Sequence, residues 1–507
     1  MTDGLGLGDA YGATIERIKA QGGSKSKLGM EALMWISHAE RPLTVHELCD
    51  ALAVELGSTD FTADNIPSIT TLLGCCQGLI TVDKEASTVR LVHFTLQEYL
   101  SAHPDIFTRP HAAIAEISLT YLNFGRAKSI PTDTLSISNM PFLKYCSIYW
   151  GVHAKRELSD CARSLALKLL QEYDGHISTA YLLAREAPGF SFSPKVPFNG
   201  LHCASLFGIA EVVTTFIEMR CYDLNERDFG GRTPLLWATM KGHEEVVKML
   251  LAQEEVDPNR PNNRGQTPLS CAVWSGCEEV VKILLGREEV DPNKPDQYGM
   301  TPLLYAASDG HEGIMRILLA WEEVDPDKPA DDGMTPLLYA ASEGHVGIVR
   351  ILFARREVNP DKPNDHGDTP LPSAAQSGHE DVVKILLGRK EVNPENLDND
   401  GDTPLACAAY GGYEGVVKIL LEQEGVNPDN LNHAGRTPLS YACSKGHEGV
   451  VEILLEQEEV NPNKADNDGQ TPLMYATERG NQRVIELLQP REAATHGALS
   501  GMGDTTP

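Results

Sequence analysis

The sequence predicts a mostly α-helical chain: a repeat solenoid preceded by a small winged-helix domain and a helical spacer. Three observations carry this. The dipeptide Thr-Pro returns every 34 residues from Thr233 to Thr471, eight times without a slip. A glycine nine residues after each Thr keeps the same phase from Gly242 to Gly480, and Gly208 extends it one step back. Before about residue 197 the period is absent, and helical runs surround a single pair of β-rich runs. A fixed period of this size marks stacked supersecondary units.

Composition sets the frame. The chain has 507 residues, 41% hydrophobic and 23% charged, which suits two to four domains with ample core. Lys and Arg total 43 against 72 Asp and Glu, a formal charge of −29. That charge opposes binding to nucleic acid or anionic membrane. Met1 to Asp9 has no basic region followed by an apolar run, so no secretory signal is read there. The mainly apolar stretches are too short to cross a bilayer. Eleven scattered cysteines, an odd number without a framework, fit a reducing interior. The expectation is a soluble, cytoplasmic protein.

Residues 1–27 are read as a flexible N-terminus, since Gly4-Leu5-Gly6-Leu7-Gly8 lacks a following Lys and a preceding strand. Residues 28–104 are read as a winged helix. Leu28 to Ala39 forms a helix, and Thr44-Val45-His46-Glu47 is a capping box opening a second. Asn65 to Cys76 is the third. Leu79–Asp83 and Thr88–Phe94 form a hairpin. Thr95-Leu96-Gln97-Glu98 is a second capping box opening a helix through Ala102. The third helix, which would read DNA in many winged helices, has no Lys or Arg for phosphate contact. Residues 105–196 form the helical spacer.

Residues 197–490 hold the repeats, one degenerate unit at Asn199-Gly200-Leu201-His202 and eight full ones. In each, Thr is an N-cap and Pro occupies the first helical position, where a missing amide hydrogen costs nothing. A short apolar helix, a Gly-His turn and a second helix with an Ile-x-x-Leu-Leu pattern follow. Asp-Pro or Asn-Pro then breaks helicity. A polar finger with Gly two residues before the next Thr closes the unit. Residues 491–507 are expected to be disordered.

The pattern Gly-x-Thr-Pro-Leu, Ala-Ala, Gly-His, Val-Val-Lys-Ile-Leu-Leu resembles the ankyrin repeat. It departs in one place: Glu-Glu-Val-Asp-Pro-Asn, as in Glu254 to Asn259, stands where the family, whose units usually run one residue shorter than these, has Gly-Ala-Asp. A second resemblance rests on Leu33-Met34-Trp35-Ile36-Ser37-His38-Ala39, Leu91 to Leu100 and Tyr149-Trp150-Gly151-Val152-His153. These segments look like the winged helix and spacer that follow the NTPase domain in fungal NACHT-type, NLR-like signalling ATPases. The resemblance implies the sensor and regulatory part of a switch with a nucleotide-driven core. No Gly-x-x-x-x-Gly-Lys-Ser/Thr cradle is present in this chain. The alternatives are a free-standing ankyrin scaffold or adaptor, or a regulatory subunit acting in trans with a NACHT ATPase.

No catalytic, cofactor-binding or metal site is expected. There is no Gly-x-Ser-x-Gly elbow and no Cys motif with a defined partner. His93, at the strand–helix junction, is read as a packing residue. His243, His311, His345, His379 and His447 recur at one phase, a unit or more apart, too far to share an ion, and are read as structural. Tyr305, Tyr339, Tyr441 and Tyr475 are likewise read as packing.

Recognition is expected where the repeats vary. In ankyrin arrays these positions line a groove along the finger tips and the first helices. There the candidates are Arg232, Met240, Arg264, Trp274, Tyr298, Met300, Asp332, Met334, Asp368, Asp400, Asp402 and Tyr410. Trp274, Tyr298, Met300 and Met334 form an apolar strip of hot-spot chemistry. Asp331, Asp332, Glu343, Asp365, Asp368, Asp400 and Asp402 form an acidic block after it. The expected partner is a protein segment with an apolar anchor and a basic stretch, and charge reversal at Asp368 and Asp402 should abolish its binding.

Overall fold

The computed structural model describes residues 6–60, 65–131, 140–186 and 198–489. The tail expected from 491 lies outside these. The chain divides into two compact units, Met1–Asn263 and Arg264–Pro507.

The first unit begins with α1 (Leu7–Ala20) and α2 (Gly23–His38). Of the flexible start expected for residues 1–27, residues 1–5 lie outside the described residues, and from Leu7 it is replaced by helix. Tyr11, Ile15 and Ile18 recur at helical spacing and are buried against α2 and a later helix, which is why the segment orders. The winged helix continues with β1 (Leu43–Thr44), α3 (Val45–Ala53), α4 (Ile69–Cys75), β2 (Ile80–Asp83), β3 (Thr88–Leu91) and α5 (Phe94–Ala102). The sheet runs β1-β3-β2, antiparallel throughout. The two-residue β1, pairing Leu43 with Val89, is too short to leave a sequence pattern.

Two helix starts move. α4 begins at Ile69, not Asn65, because Pro67 disfavours helix before it and Ser68 caps the helix by accepting the Thr71 amide at 3.2 Å. α5 begins at Phe94, so the capping box read at Thr95 does not form. His93 is the N-cap, its Nδ1 accepting the Thr95 amide at 3.3 Å. His93 is exposed rather than packed.

A 3-10 turn (Pro104–Ile106), α6 (Pro110–Leu122), α7 (Gly125–Lys128), α8 (Leu143–Arg156), α9 (Asp160–Leu170) and α10 (Ile177–Glu186) form the spacer. α11 (Gly200–Phe207) and α12 (Ala210–Met219) make the degenerate repeat. Asn199 caps α11 reciprocally with His202, which explains how Asn-Gly substitutes for Thr-Pro. Trp150 of α8 is fully buried and meets Phe207 of α11 edge to face, with ring centroids 5.2 Å apart. This contact joins the spacer to the first repeat. α13 (Pro234–Met240) and α14 (Glu244–Leu251) complete the unit's helices.

The second unit repeats one helix pair. The first helices are α15 (Pro268–Trp274), α17 (Pro302–Ser308), α19 (Pro336–Ser342), α21 (Pro370–Ser377), α23 (Pro404–Gly411), α25 (Pro438–Lys445) and α27 (Pro472–Arg479). The second helices are α16 (Glu278–Leu285), α18 (Glu312–Leu318), α20 (Val346–Phe353), α22 (Glu380–Leu387), α24 (Glu414–Leu421) and α26 (Glu448–Leu455). First helices stack on first helices and second on second. Leu and Val at the fixed positions, such as Leu303, Ile314 and Leu318, are buried to 2% exposure or less. Each such burial contributes about 1.5–3 kcal/mol.

The periodic Gly and His are one packing device. A Cβ at Gly276, Gly310, Gly344 or Gly412 would lie 2.5–2.9 Å from the next unit's His ring. In His345, His379 and His447, Nε2 bonds the previous unit's first-helix carbonyl at 3.0 Å. The Glu-Glu-Val-Asp-Pro-Asn loop is built from two turns. In the copy after α16, Arg287 N donates to Leu284 O and Val290 N to Arg287 O, with Val290 buried and Asp291 accepting the Asn293 amide.

Thr caps seven of the eight full units through the amide three residues on. Thr369 does not, because that residue is Pro372, which has no amide hydrogen. Asn396 Nδ2 donates to Thr369 Oγ1 at 3.4 Å instead. Pro372→Leu, the residue that Leu304 and Leu338 place there, should restore the cap and raise stability by about 1 kcal/mol in urea denaturation. An unchanged or lower midpoint would count against this account of the missing cap.

Candidate recognition surface of the repeat fingers

Six fingers are shown to be organised by a residue five positions before their Thr. Asp228, Asp296, Asn364, Asp398, Asn432 and Asp466 each accept two backbone amides with one side-chain oxygen, from residues two and four further on. This Asx arrangement folds the finger locally. It puts the following Gly at positive φ, for example 75° at Gly299. Fingers then join one another. Asp331 N donates to Tyr298 O, Asp365 N to Asp332 O, Asn399 N to His366 O and His433 N to Asp400 O, at 3.0–3.3 Å. The periodic Asp or Asn was visible in the sequence, and its role as a finger clamp was missed there.

The same residue holds the first helix. Tyr305 donates its hydroxyl to Asp296 Oδ2 at 2.7 Å, and Tyr475 donates to Asp466. Tyr441 donates to Asp402 Oδ2 at 2.9 Å and accepts from Asn432 Nδ2. In the first unit, Trp237 Nε1 donates to Asp228 Oδ2 at 3.0 Å. The aromatic residues four positions after Thr thus pack with their rings and tie down the finger with their polar tips. Ala330 stands where the clamp should be, and there Tyr339 turns to Met300 Sδ at 3.4 Å.

The candidate residues separate into presented and engaged ones. In the second unit Trp274 and Tyr298 are 51% and 60% exposed, large values for residues of this size. No ring contact joins them among the described residues. Met300 and Met334 are half-buried, and each sulfur accepts a hydrogen bond, Met334 from Asn364 Nδ2. Arg264, Asp332 and Asp400 are exposed, as are Asp331, Glu343 and Asp365. Asp332 Oδ1 accepts the Met334 amide at 3.1 Å.

Two acids are less available than expected. Asp368 is half-buried and accepts from Asn364 Nδ2 at 3.1 Å. Asp402 is half-buried, receives Tyr441 and Asn432, and has its carboxyl pushed above the usual range by burial. Charge reversal at Asp402 would therefore break a contact between units as well as alter the surface. Tyr410 is 42% exposed and belongs to a separate cluster, edge to face with Tyr441 at 5.6 Å and under the Lys445 amine at 4.1 Å. In the first unit Met240 is half-buried, and Arg232 lies over the Trp237 ring at 4.7 Å. Among the described residues no group of His, Cys, Asp and Glu could hold a metal ion. No helix there is long and apolar enough to cross a membrane.

Stacked helix pairs with clamped fingers define a class, and the sequence comparison places the chain in it. Residues 201–296, 282–362, 355–432 and 423–496 match the family described as "Ankyrin repeats (3 copies)". The chain belongs to the ankyrin-repeat family. Residues 16–106 match the family described as "GPI inositol-deacylase, winged helix domain", a match that begins within α1. Among curated proteins, the chain is similar to "Azaphilone pigments biosynthesis cluster protein L" of Monascus ruber, with 30% identity over 139 residues. That similarity covers 24% of this chain and 29% of the relative's length.

Proposed function

We propose that the chain is a non-catalytic recognition protein whose array captures a protein segment. The observation that carries this reading is the exposure of Trp274 and Tyr298 at variable positions of the unit 267–300. Leaving such rings in water forgoes burial energy, and rings of this kind serve as anchors in interfaces. Beyond them, exposed Asp332, Asp365 and Asp400 favour a basic continuation of the same segment. Captured partners should weaken by tenfold or more, about 1.4 kcal/mol, on Trp274→Ala or Tyr298→Ala in full-length chain, measured by quantitative pull-down. Retained capture by both variants would remove the anchor from the reading. Charge reversal belongs at the exposed Asp332, Asp365 and Asp400, whose carboxylates accept from no neighbouring side chain among the described residues.

In this reading the winged helix, the spacer and the array form the sensor and regulatory part of an NLR-like, NACHT-ankyrin signalling system. The domains would be the winged helix over 28–104, the spacer over 105–196 and the array over 197–490. The support is the order of parts: a winged helix matched over 16–106, then repeats. The nucleotide-driven core would act in the same polypeptide or in trans. Co-purification of a NACHT ATPase with the full-length chain tests this. Absence of any such ATPase from captured complexes would leave the adaptor role.

A further inference from the structure

We infer that the last three repeats hold a site for the carboxylates of an acidic peptide stretch in the bound segment. This rests on the array being a segment-binding surface, and it adds a chemistry opposite to that of the acidic block. A depression of about 290 Å³ is lined by Tyr410, Arg436, Tyr441, Lys445, Tyr475 and Arg479, all within the second unit. One acid, Glu478, also lines it, so three cations face one carboxylate. In a chain with a formal charge of −29, this is a local reversal of sign.

Lys445 and Arg479 are in no ion pair among the described residues, and Arg436 has only a long one, to Asp466. Arg436 has its guanidinium carbon 5.0 Å from the Tyr475 ring centroid and 5.9 Å from that of Tyr441. Its Nε is buried with no hydrogen-bond acceptor, the nearest carboxylate oxygen, Asp466 Oδ2, lying 3.7 Å away. Asp466 is already committed to the Asp468 and Gln470 amides and the Tyr475 hydroxyl. Lys445 rests on the Tyr410 face. Aromatic walls fix the cations, while the Tyr441 and Tyr475 hydroxyls are already donated to Asp402 and Asp466. Three cations, from the finger at Arg436 and the ends of α25 and α27, would meet carboxylates projecting from an extended chain. The bound segment would then read apolar, basic and acidic in that order along the array.

The test uses full-length chain and rhodamine-labelled peptides in fluorescence polarisation at about 0.05 M salt. Tetra-glutamate should bind saturably, tetra-glutamine should not, and salt near 0.5 M should weaken the signal. Lys445→Gln with Arg479→Gln should weaken it about tenfold or more, while Lys445→Arg with Arg479→Lys should retain it. Both positions are exposed, and thermal unfolding of the variants is followed in parallel. Equal binding of the two peptides, no saturable binding, or unchanged affinity in the Gln variant overturns the site. A Trp-Gly-Lys-Lys-Lys-Lys peptide, tested against Asp332→Lys, Asp365→Lys and Asp400→Lys, reports on the groove separately. Its survival beside a failed glutamate arm would remove the anion site alone.

Discussion

Asp228→Ala should lower the stability of the first compact unit by about 3–5 kcal/mol. Asp228 is 5% exposed and ends three hydrogen bonds: the Gly230 and Arg232 amides, both at 2.8 Å, and Trp237 Nε1 at 3.0 Å. Trp237 is fully buried, so its indole N–H would have no acceptor. A buried donor left without a partner costs about 1–3 kcal/mol, and the two finger amides add to it where water cannot reach. Asp228→Asn separates the contributions. The amide keeps one acceptor for the backbone and turns its own N–H₂ toward the indole N–H, so about half the loss should remain. Urea denaturation followed by near-UV circular dichroism reads both variants. A loss under about 1 kcal/mol for Ala would show that the finger does not depend on this clamp.

The second large effect is acid sensitivity in the same unit. His153, His176 and His202 are buried and neutral, their pKa values held down to about 3, 4 and 4 chiefly by burial. Their hydrogen bonds require neutrality at one nitrogen. His176 Nδ1 accepts the Ser178 amide and His202 Nδ1 accepts the Asn199 amide, while each Nε2 donates to a carbonyl, Leu122 O and Glu226 O. An unfolded chain binds protons at these sites below about pH 6.5, and the folded one does not until about pH 3–4. Stability is therefore full above the unfolded pKa and falls as pH drops toward the folded values. From these three groups the loss should approach about 5 kcal/mol at pH 5. Amide exchange over residues 140–210 at pH 7.5 and 5.5 checks it. His202→Gln should flatten the dependence, and equal protection at both pH values would refute the assignment.

The repeats were legible because their signals are local and periodic. Thr-Pro caps, Gly-His turns and buried Val-Val and Leu-Leu pairs recur at one phase, so one physical account covers eight copies. Thr369 shows the limit: its dipeptide is intact, but the cap depends on an amide that Pro372 lacks. α1 was hidden by the glycines before it, although Tyr11, Ile15 and Ile18 already carried a helical face. Exposure at the variable positions was partly legible. Trp274 and Tyr298 are exposed, but Asp402 could be seen as engaged only once Tyr441 of α25 was in place. Sequence phase tells which positions are free to vary, not which side chains a neighbour has already claimed.

The finger at Ala330 and the helix start at Thr369 acquire a joint meaning. Repeat arrays cohere through nearest neighbours, so their cooperativity is only as long as the run of intact couplings. The unit at 335–368 has a finger without its side-chain clamp on one side and an uncapped helix on the other. It should act as a fault line inside the second unit, with its local opening threshold the lowest away from the ends. Amide exchange should accordingly be faster over 336–368 than over the flanking units, and equal rates would deny the fault. The fault also lies between the Trp274–Tyr298 anchors and the Asp400 finger. A segment seated on both would bridge it, so capture would be registered in the backbone as a splint closing two half-arrays into one cooperative body.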